Sequence, residues 1–451
     1  MKVRNIYLQF QNIPVVKQIS FLPFVGNQNT LKKQTKFCKP PPLSFEFISS
    51  NRTYLHFSTE ITAEEDNGWN PWGEEFEKEG SYLHRHQPPK ILWNKEDIKS
   101  DRSAVNASSV HVVDIWSIAA IGQYLWGHIL GGDLQIDDSK GWSYGEKKID
   151  NIQFRYKVGQ GVTPYRLPQD VKNLVLVLNG REESKINSAK EWLNLLPSFK
   201  DLQHVAVVLL GNEQCNNDWI KPYMSLNGGR INFAFLVYDS ADIDNNNFFQ
   251  WPLGVATYRD FPNVKRSDVP IYNRRKFVCN FLGTIYKNSS REALLDVLQA
   301  EPFRSICSVK ARQTWMPNES EQSLENYLNA LEESDLTLNP VGQNTECYRI
   351  YEALSFGSLP VVEDVMTPGS CGISSVSGNV PLRVLKEEKA PIIYIKDWRD
   401  LRSVISKELK LSIEDKIKRR KELMLWYENF KSKLREHFIH VIQDKFFHLF
   451  R

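Results

Sequence analysis

The chain has almost no surplus charge of either sign. Its 57 lysines and arginines face 54 aspartates and glutamates over 451 residues, a net charge of +3. That balance leaves no global field for a phosphate backbone, which makes sequence-independent nucleic-acid binding a poor first reading, and no nucleic-acid partner is expected. Cysteine is scarce: Cys38, Cys215, Cys279, Cys307, Cys347 and Cys371. No two form a CxxC or CxxxxC pair, which argues against a zinc cluster. No apolar run approaches the ~18 residues of a membrane-spanning helix. The best N-terminal candidate, Ile13 to Val25, is broken by Pro14, Lys17, Gln18 and Pro23. No internal repeat is visible.

What is present is globular. Hydrophobic residues make up 41% and charged residues 25%, which excludes a collagen-like or disordered chain. At about 150 residues per domain, the length implies three domains or two large ones. Aromatics reach 12%, with 12 tryptophans, enough for large cores and for flat rings against a ligand such as a sugar. N-x-S/T sequons occur at Asn51, Asn106, Asn288 and Asn318. Sequons with sparse cysteine fit a lumenal protein carrying one or two disulfides. Domain membership allows Cys279–Cys307 or Cys347–Cys371, but spacing alone does not fix connectivity.

Residues 1–105 read as an irregular stem, with Pro40 to Pro42, the acidic Glu64 to Asp66 and an aromatic knot, Trp69-Asn70-Pro71-Trp72. The first fifty residues carry seven Lys/Arg against Glu46, a pattern open to a basic arm on a membrane surface. Order begins near Val110. Asp114 is placed to cap a helix running to Ile129, ended by Gly131 and Gly132. Short Val/Leu runs then alternate with helical patterns: strands over 174–178, 205–210 and 233–238, and a helix over 184–196. After a crossover at Trp251 to Arg275 the alternation restarts. Strands are expected near 277–282, 306–309, 335–338, 359–362 and 392–395, and helices over 291–298, 324–331 and 345–356. The fold class is therefore α/β, with two Rossmann-like doubly wound domains facing a cleft, 106–265 and 266–411. A long C-terminal helix over 412–451 follows, with Ser412 and Asp415 as a capping box and a stripe from Leu423 to Val441. Its basic run Lys418 to Lys421 reads as a solvated face.

In open α/β sheets ligands sit beyond the carboxyl ends of the strands. In Ser334 to Asp364 a strand ends at Asn339 and a turn carries Gly342. A helix capped by Asn344 or Thr345 then offers unpaired N–H groups to an anion. Arg349 adds a charge-assisted bond to phosphate, and Glu352, on the same face, can take a ribose diol. A second strand end, Phe281-Leu282-Gly283-Thr284, lets backbone approach a diphosphate at Gly283 and Thr284, with Arg291 opening the next helix. Asp242-Ile243-Asp244 matches a metal-binding DxD triplet, but such triplets are common by chance and this one lies in an Asn-rich loop after the last strand of the first half, so no metal site is assigned.

The F-x-G strand end, the Arg at a helix start and the P-x-G…R-x-x-E-A…G-x-x-P-V-V pattern resemble the exostosin-type glycosyltransferases. Longer runs resemble the ribitol-phosphate xylosyltransferases of the α-dystroglycan O-mannosyl glycan pathway: Ala119 to Trp126, Leu178 to Glu182, Ala206 to Glu213, Phe249 to Pro262, Cys279 to Tyr286 and Asn344 to Ala353. The resemblance covers the chain from about Trp69 onward. It implies a GT-B fold with the donor domain second. It also implies an inverting transfer of xylose from UDP-xylose to ribitol 5-phosphate on α-dystroglycan, alongside pathway enzymes such as fukutin and fukutin-related protein. It implies a Golgi membrane location, though the family's anchor is not visible at the start of this chain. No cofactor is expected beyond the donor, since Arg349 and the helix start can hold its diphosphate without a metal. An inverting transfer needs a base from the first domain. The strand-end candidates are Glu182, Glu213 and Asp239, with Glu213 preferred for its tight turn. Arg181 is the candidate for the acceptor phosphate. The family-wide motifs leave open another sugar donor, or a non-catalytic glycan-binding scaffold; the longer runs favour ribitol phosphate.

Overall fold

Among the described residues, eight strands and then seven more follow one another along the chain. The structure is a computed structural model and describes residues 110–314, 320–374 and 378–449, all within the compact unit Asp66–Arg451. The expected stem, the Trp69–Trp72 knot and the sequons Asn51, Asn106 and Asn318 lie outside the described residues. Asn288 is exposed at a positive-φ turn before a helix.

In the first half the elements run β1 (His111–Ser117), α1 (Ile121–Gln123), β2 (Gln135–Asp137), β3 (Trp142–Ile149), β4 (Ile152–Val158), β5 (Asn173–Asn179), α2 (Glu183–Leu195), β6 (His204–Leu210), β7 (Phe233–Val237) and β8 (Phe248–Trp251). α1 continues as a π-helical turn, Tyr124–Ile129. The sheet order is β2-β3-β4-β1-β5-β6-β7-β8, parallel from β4 to β8, with β2 and β3 added antiparallel. The helix expected from Asp114 is therefore two elements. Val112, Val113 and Ile115 are β-branched and favour a strand. Asp114 sits in mid-strand opposite Leu174 and caps nothing.

The second half holds β9 (Phe277–Thr284), α3 (Ser290–Leu298), α4 (Phe303–Ile306), β10 (Cys307–Arg312), α5 (Glu321–Glu332), β11 (Ser334–Asn339), α6 (Tyr348–Ser355), β12 (Leu359–Glu363), β13 (Ile373–Ser374), β14 (Gly378–Asn379), α7 (Arg383–Glu387), β15 (Ile393–Ile395), α8 (Leu401–Glu408) and α9 (Ile413–Phe447). Its five-stranded sheet, β10-β9-β11-β12-β15, is wholly parallel. The two sheets and their helices form the GT-B arrangement. Among the described residues no helix is long and apolar enough to cross a membrane.

Strands buried on both faces explain the continuous Val/Leu runs. In β5, Leu174, Leu176 and Leu178 enter one core while Val175 and Val177 enter the other. α9 joins the halves. Ser412 Oγ accepts from Asp415 N–H at 3.1 Å, which caps the start as expected. Near that end Tyr427 and Phe430 pack on Tyr351 of α6. Further along, Phe438 lies 5.3 Å from Phe235 and 5.9 Å from Trp251, ring to ring, against the first sheet. The basic run is only partly a solvated face. Arg420 is fully buried and bonds Asp335 at 2.7 Å and the carbonyls of Ile271 and Asn273. Arg419 grips Glu408 with both amino groups at 2.7 Å.

Phe438 is wholly buried. We expect Phe438→Ala to destabilise the protein by about 3–5 kcal/mol, through lost burial plus the cavity left behind. Chemical denaturation of wild type and variant measures it; a loss below about 1 kcal/mol would mean that α9 is not anchored there.

Candidate active site

The carboxyl ends of both sheets open on one cleft. β5, β6 and β7 deliver Arg181, Glu213 and Tyr238 from the first half. The crossover after β8 delivers Leu253, Ala256, Tyr258 and Arg259. α3 and the β11–α6 connection deliver Arg291, Asn344 and Glu346 to Arg349, with Glu352 one turn on. Four arginines thus face one space from both halves.

Arg349 is the second residue of α6 and is buried to 1% exposure. Its Nη2 donates to the Leu282 carbonyl at 3.1 Å, and its guanidinium lies 5.3 Å from the Phe281 ring centre. Gly283 lies beside both: a Cβ there would stand 3.2 Å from the Phe281 ring and 3.4 Å from Arg349 Nη2. Arg291, the second residue of α3, donates to the Thr284 carbonyl at 3.1 Å. Thr284 is buried, and its hydroxyl accepts from Arg312 at 3.2 Å, so its part is to steer arginines. Gly342 is buried in the β11–α6 turn.

α6 begins at Tyr348, later than the sequence suggested, and neither Asn344 nor Thr345 caps it. Asn344 Oδ1 instead closes a turn on the Glu346 N–H at 2.8 Å, and its Nδ2 donates to the Glu213 carbonyl at 2.9 Å. Thr345 Oγ1 donates to the Val365 carbonyl at 2.6 Å. Both residues shape the loop that presents the helix start.

Glu352 lies in the cleft wall at 3% exposure. One oxygen accepts from Ala256 N–H at 3.1 Å and the other from the Tyr327 hydroxyl at 2.5 Å. Burial raises its carboxyl above the usual range, against those hydrogen bonds and the charges of Arg259 and Arg349.

Arg181 is held from three sides. Its Nη1 pairs with Glu213 Oε1 at 3.2 Å, its Nη2 donates to the Tyr238 hydroxyl, and its guanidinium lies 5.8 Å from the ring centres of Tyr238 and Tyr348. Tyr238 takes φ +69°, a left-handed conformation costly for a bulky residue, at the point where β7 enters the cleft.

Of the three candidate bases only Glu213 reaches this cleft. Asp239 does not: Arg383 takes both its oxygens, at 2.8 and 3.0 Å, and the pair is buried. A carboxylate so engaged is a structural ion, which corrects its expected role. Glu182 is exposed, precedes α2 without making a side-chain cap, and lines no part of the cleft. The Asp242-Ile243-Asp244 triplet builds a turn: Asp242 pairs with Lys221 at 2.8 Å, and Asp244 accepts the N–H groups of Asn246, Asn247 and Phe248. Among the described residues no three His, Cys, Asp or Glu side chains cluster as a metal site.

The cysteines depart from one expectation. Cys279–Cys307 joins neighbouring strands. Cys371 pairs with Cys215, 156 residues away, and not with Cys347, whose thiol donates to Asn339 Oδ1 at 3.3 Å. Sequence separation hid this bond, because Cys215 belongs to the other half. Beside it, Ser370 N–H donates to the Gln214 carbonyl at 2.9 Å and Gly372 N–H to the Asp239 carbonyl at 2.8 Å.

Two Rossmann-like halves with a basic cleft between their strand ends define a nucleotide-sugar glycosyltransferase fold. Models of the RXYLT1 N-terminal domain and the RXYLT1 C-terminal domain match residues 113–252 and 258–447. Ribitol-5-phosphate xylosyltransferase 1 of Homo sapiens is 46% identical over 387 residues, 85% of each chain. The Danio rerio protein of the same name is 44% identical over 383 residues, 84% of this chain and 86% of that one. The chain belongs to the ribitol-5-phosphate xylosyltransferase 1 family. Among solved structures, the catalytic domain of starch synthase IV from Arabidopsis thaliana, bound to ADP and acarbose, has a TM-score of 0.38 at 9% identity, covering 74% of this chain and 100% of that one. An α-glucosyltransferase in complex with UDP-glucose and DNA has a TM-score of 0.33 at 13% identity, covering 59% and 80%. Neither bears on function at that level.

The sequence reading missed Arg259, Tyr258, Tyr348 and Glu346 as cleft residues. The family runs Phe249 to Pro262 and Asn344 to Ala353 contain all four, which was the available signal.

Asp239→Asn should cost about 3 kcal/mol, because buried Arg383 loses its bidentate partner and keeps only Glu387 at 3.5 Å as a counter-ion. Asp239→Leu with Arg383→Met should cost much less. Denaturation gives the stabilities. Activity per folded molecule should stay near wild type in the double variant, and its loss would return Asp239 to the candidate bases.

Proposed function

We propose that this protein transfers xylose from UDP-xylose to the ribitol 5-phosphate of the α-dystroglycan O-mannosyl glycan, with inversion at the sugar. The observation that carries this reading is the four arginines drawn from both halves into one cleft. The reaction brings together two anionic groups, a donor diphosphate and an acceptor phosphate, and each needs cationic partners.

The donor side is Arg349, Arg291 and the start of α6. Fixed N–H dipoles and guanidinium groups stabilise the charge that grows on the departing UDP. They are in place before the reaction, buried and bonded to strand-end carbonyls, so little reorganisation is needed. Glu352 keeps lone pairs for the ribose diol beside its two present bonds. On the acceptor side, Arg181 offers a bidentate grip on phosphate, aimed by Glu213 and Tyr238.

Because arginines supply the positive charge, we read the transfer as independent of a divalent ion. Two disulfides among the described residues support an oxidising compartment, here the Golgi lumen. Fukutin and fukutin-related protein are its pathway neighbours in this reading, on the family resemblance alone.

UDP and UDP-xylose should raise the melting temperature of the protein, and UDP-xylose should support transfer to a ribitol-phosphate acceptor. Arg349→Ala should lower kcat/KM per folded molecule by roughly 100-fold or more. Near-normal turnover would remove Arg349 from the diphosphate. Chelator should leave the rate standing; complete loss restored by manganese would revive Asp242 and Asp244.

A further inference from the structure

Glu346 is the acid the sequence did not single out, and it stands alone in its bonding. It is 92% buried by its 8% exposure, yet it lines both the arginine cleft and the adjoining cavity beside Asp239 and Gln250. Its Oε1 takes both of its hydrogen bonds, from Leu253 N–H at 2.8 Å and from the Tyr351 hydroxyl at 2.5 Å. No donor among the described residues bonds Oε2. That oxygen is not one of the sealed, unpartnered polar atoms, so it stays open to the cavities the residue lines. The two bonds on Oε1 fix the group: Leu253 anchors it to the crossover, and Tyr351 to α6.

We propose that Glu346 is the catalytic base, its Oε2 receiving the proton of the acceptor hydroxyl. The proposal rests on the transferase reading above. The acceptor oxygen gives up its proton to Oε2 and forms the new bond to the anomeric carbon. The bond from that carbon to the diphosphate oxygen breaks, and its electron pair leaves with UDP. Glu346 then returns the proton to solvent.

Glu213 fits this role less well. It is ion-paired with Arg181 at 3.2 Å, and a carboxylate beside a guanidinium is a poor proton acceptor. Glu213 is then a positioning residue that aims Arg181 at the acceptor.

Burial pushes the Glu346 carboxyl up to about 7, with the Leu253 and Tyr351 bonds acting the other way. The charged and titratable groups facing it are Arg181, Tyr238 and Asp239 from the strand ends, Tyr348 and Tyr351 of α6, and Tyr124 of the π-helical turn. Asp239 is neutralised by Arg383, and Arg181 by Glu213. The base is loaded when ionised, so the rate falls as pH drops below about 7.

The test is Glu346→Gln in the full chain, assayed with UDP-xylose and a ribitol-phosphate acceptor. Gln keeps an acceptor for Leu253 and Tyr351 but takes no proton. We expect kcat to fall roughly 100- to 10,000-fold, with melting temperature and UDP affinity unchanged and the acid limb of the pH–rate profile gone. Turnover within threefold of wild type overturns the proposal. So does an unchanged kcat with a raised KM for UDP-xylose, which would make Glu346 a sugar-binding group. Should Glu346→Gln not fold, Tyr351→Phe decides. It keeps the carboxylate and removes a bond that favours the ionised form, so the inflection of the profile should move to higher pH; an unmoved inflection overturns the proposal. A wild type that binds UDP but transfers nothing to ribitol phosphate under any condition overturns the transferase reading itself. An active wild type matched by an equally active Glu346→Gln sinks only the base.

Discussion

Two buried carboxylates hold the crossover between the halves by its backbone. Glu346 takes the N–H of Leu253, and Glu352 takes the N–H of Ala256. Both acids belong to one stretch at and inside the start of α6, so the segment that leaves the first sheet is tied to the helix that opens the second. The cleft exists because of this. Tyr258 and Arg259 follow directly on the tied segment and reach the cleft only while it is held. The same acids must be desolvated to do it, and burial raises both carboxyls. A group placed for architecture is thereby left with the basicity that proton transfer at neutral pH asks for.

The order of the elements was legible because the strands are buried on both faces. Runs such as Leu174 to Leu178 and Val205 to Leu210 have no polar side to turn outward, and nothing but a covered sheet accommodates them. The start of the fold was less legible. Asp114 before an apolar stretch looks like a cap, yet Val112, Val113 and Ile115 decide for a strand, and the hairpin β3–β4 completes the sheet beside it. Charged residues such as Lys148 inside that hairpin hid its strands from a search for apolar runs.

The site divides along the same line. Arg349 and Glu352 stood out because the helix period sets them three apart on one face of α6, although what they bond, the Leu282 carbonyl, the Ala256 N–H and the Tyr327 hydroxyl, lies far off in sequence. Asp239 and Glu182 were misplaced because a strand end says where a residue emerges but not what meets it. Arg383, which consumes Asp239, lies 144 residues further on. Glu346 stayed hidden for the converse reason: its partners come from Leu253, 93 residues away, and from a tyrosine that reads as ordinary helix core. The disulfide between Cys215 and Cys371 is the same kind of fact, decided by assembly of the halves and not by spacing.

That bond has a mechanical meaning. The halves are joined by the crossover, by α9 packed on both, and by Cys215–Cys371 with the buried Arg383–Asp239 pair next to it. Three separate ties therefore set the width of the cleft together, and loosening any one of them would be felt at the arginines that face it.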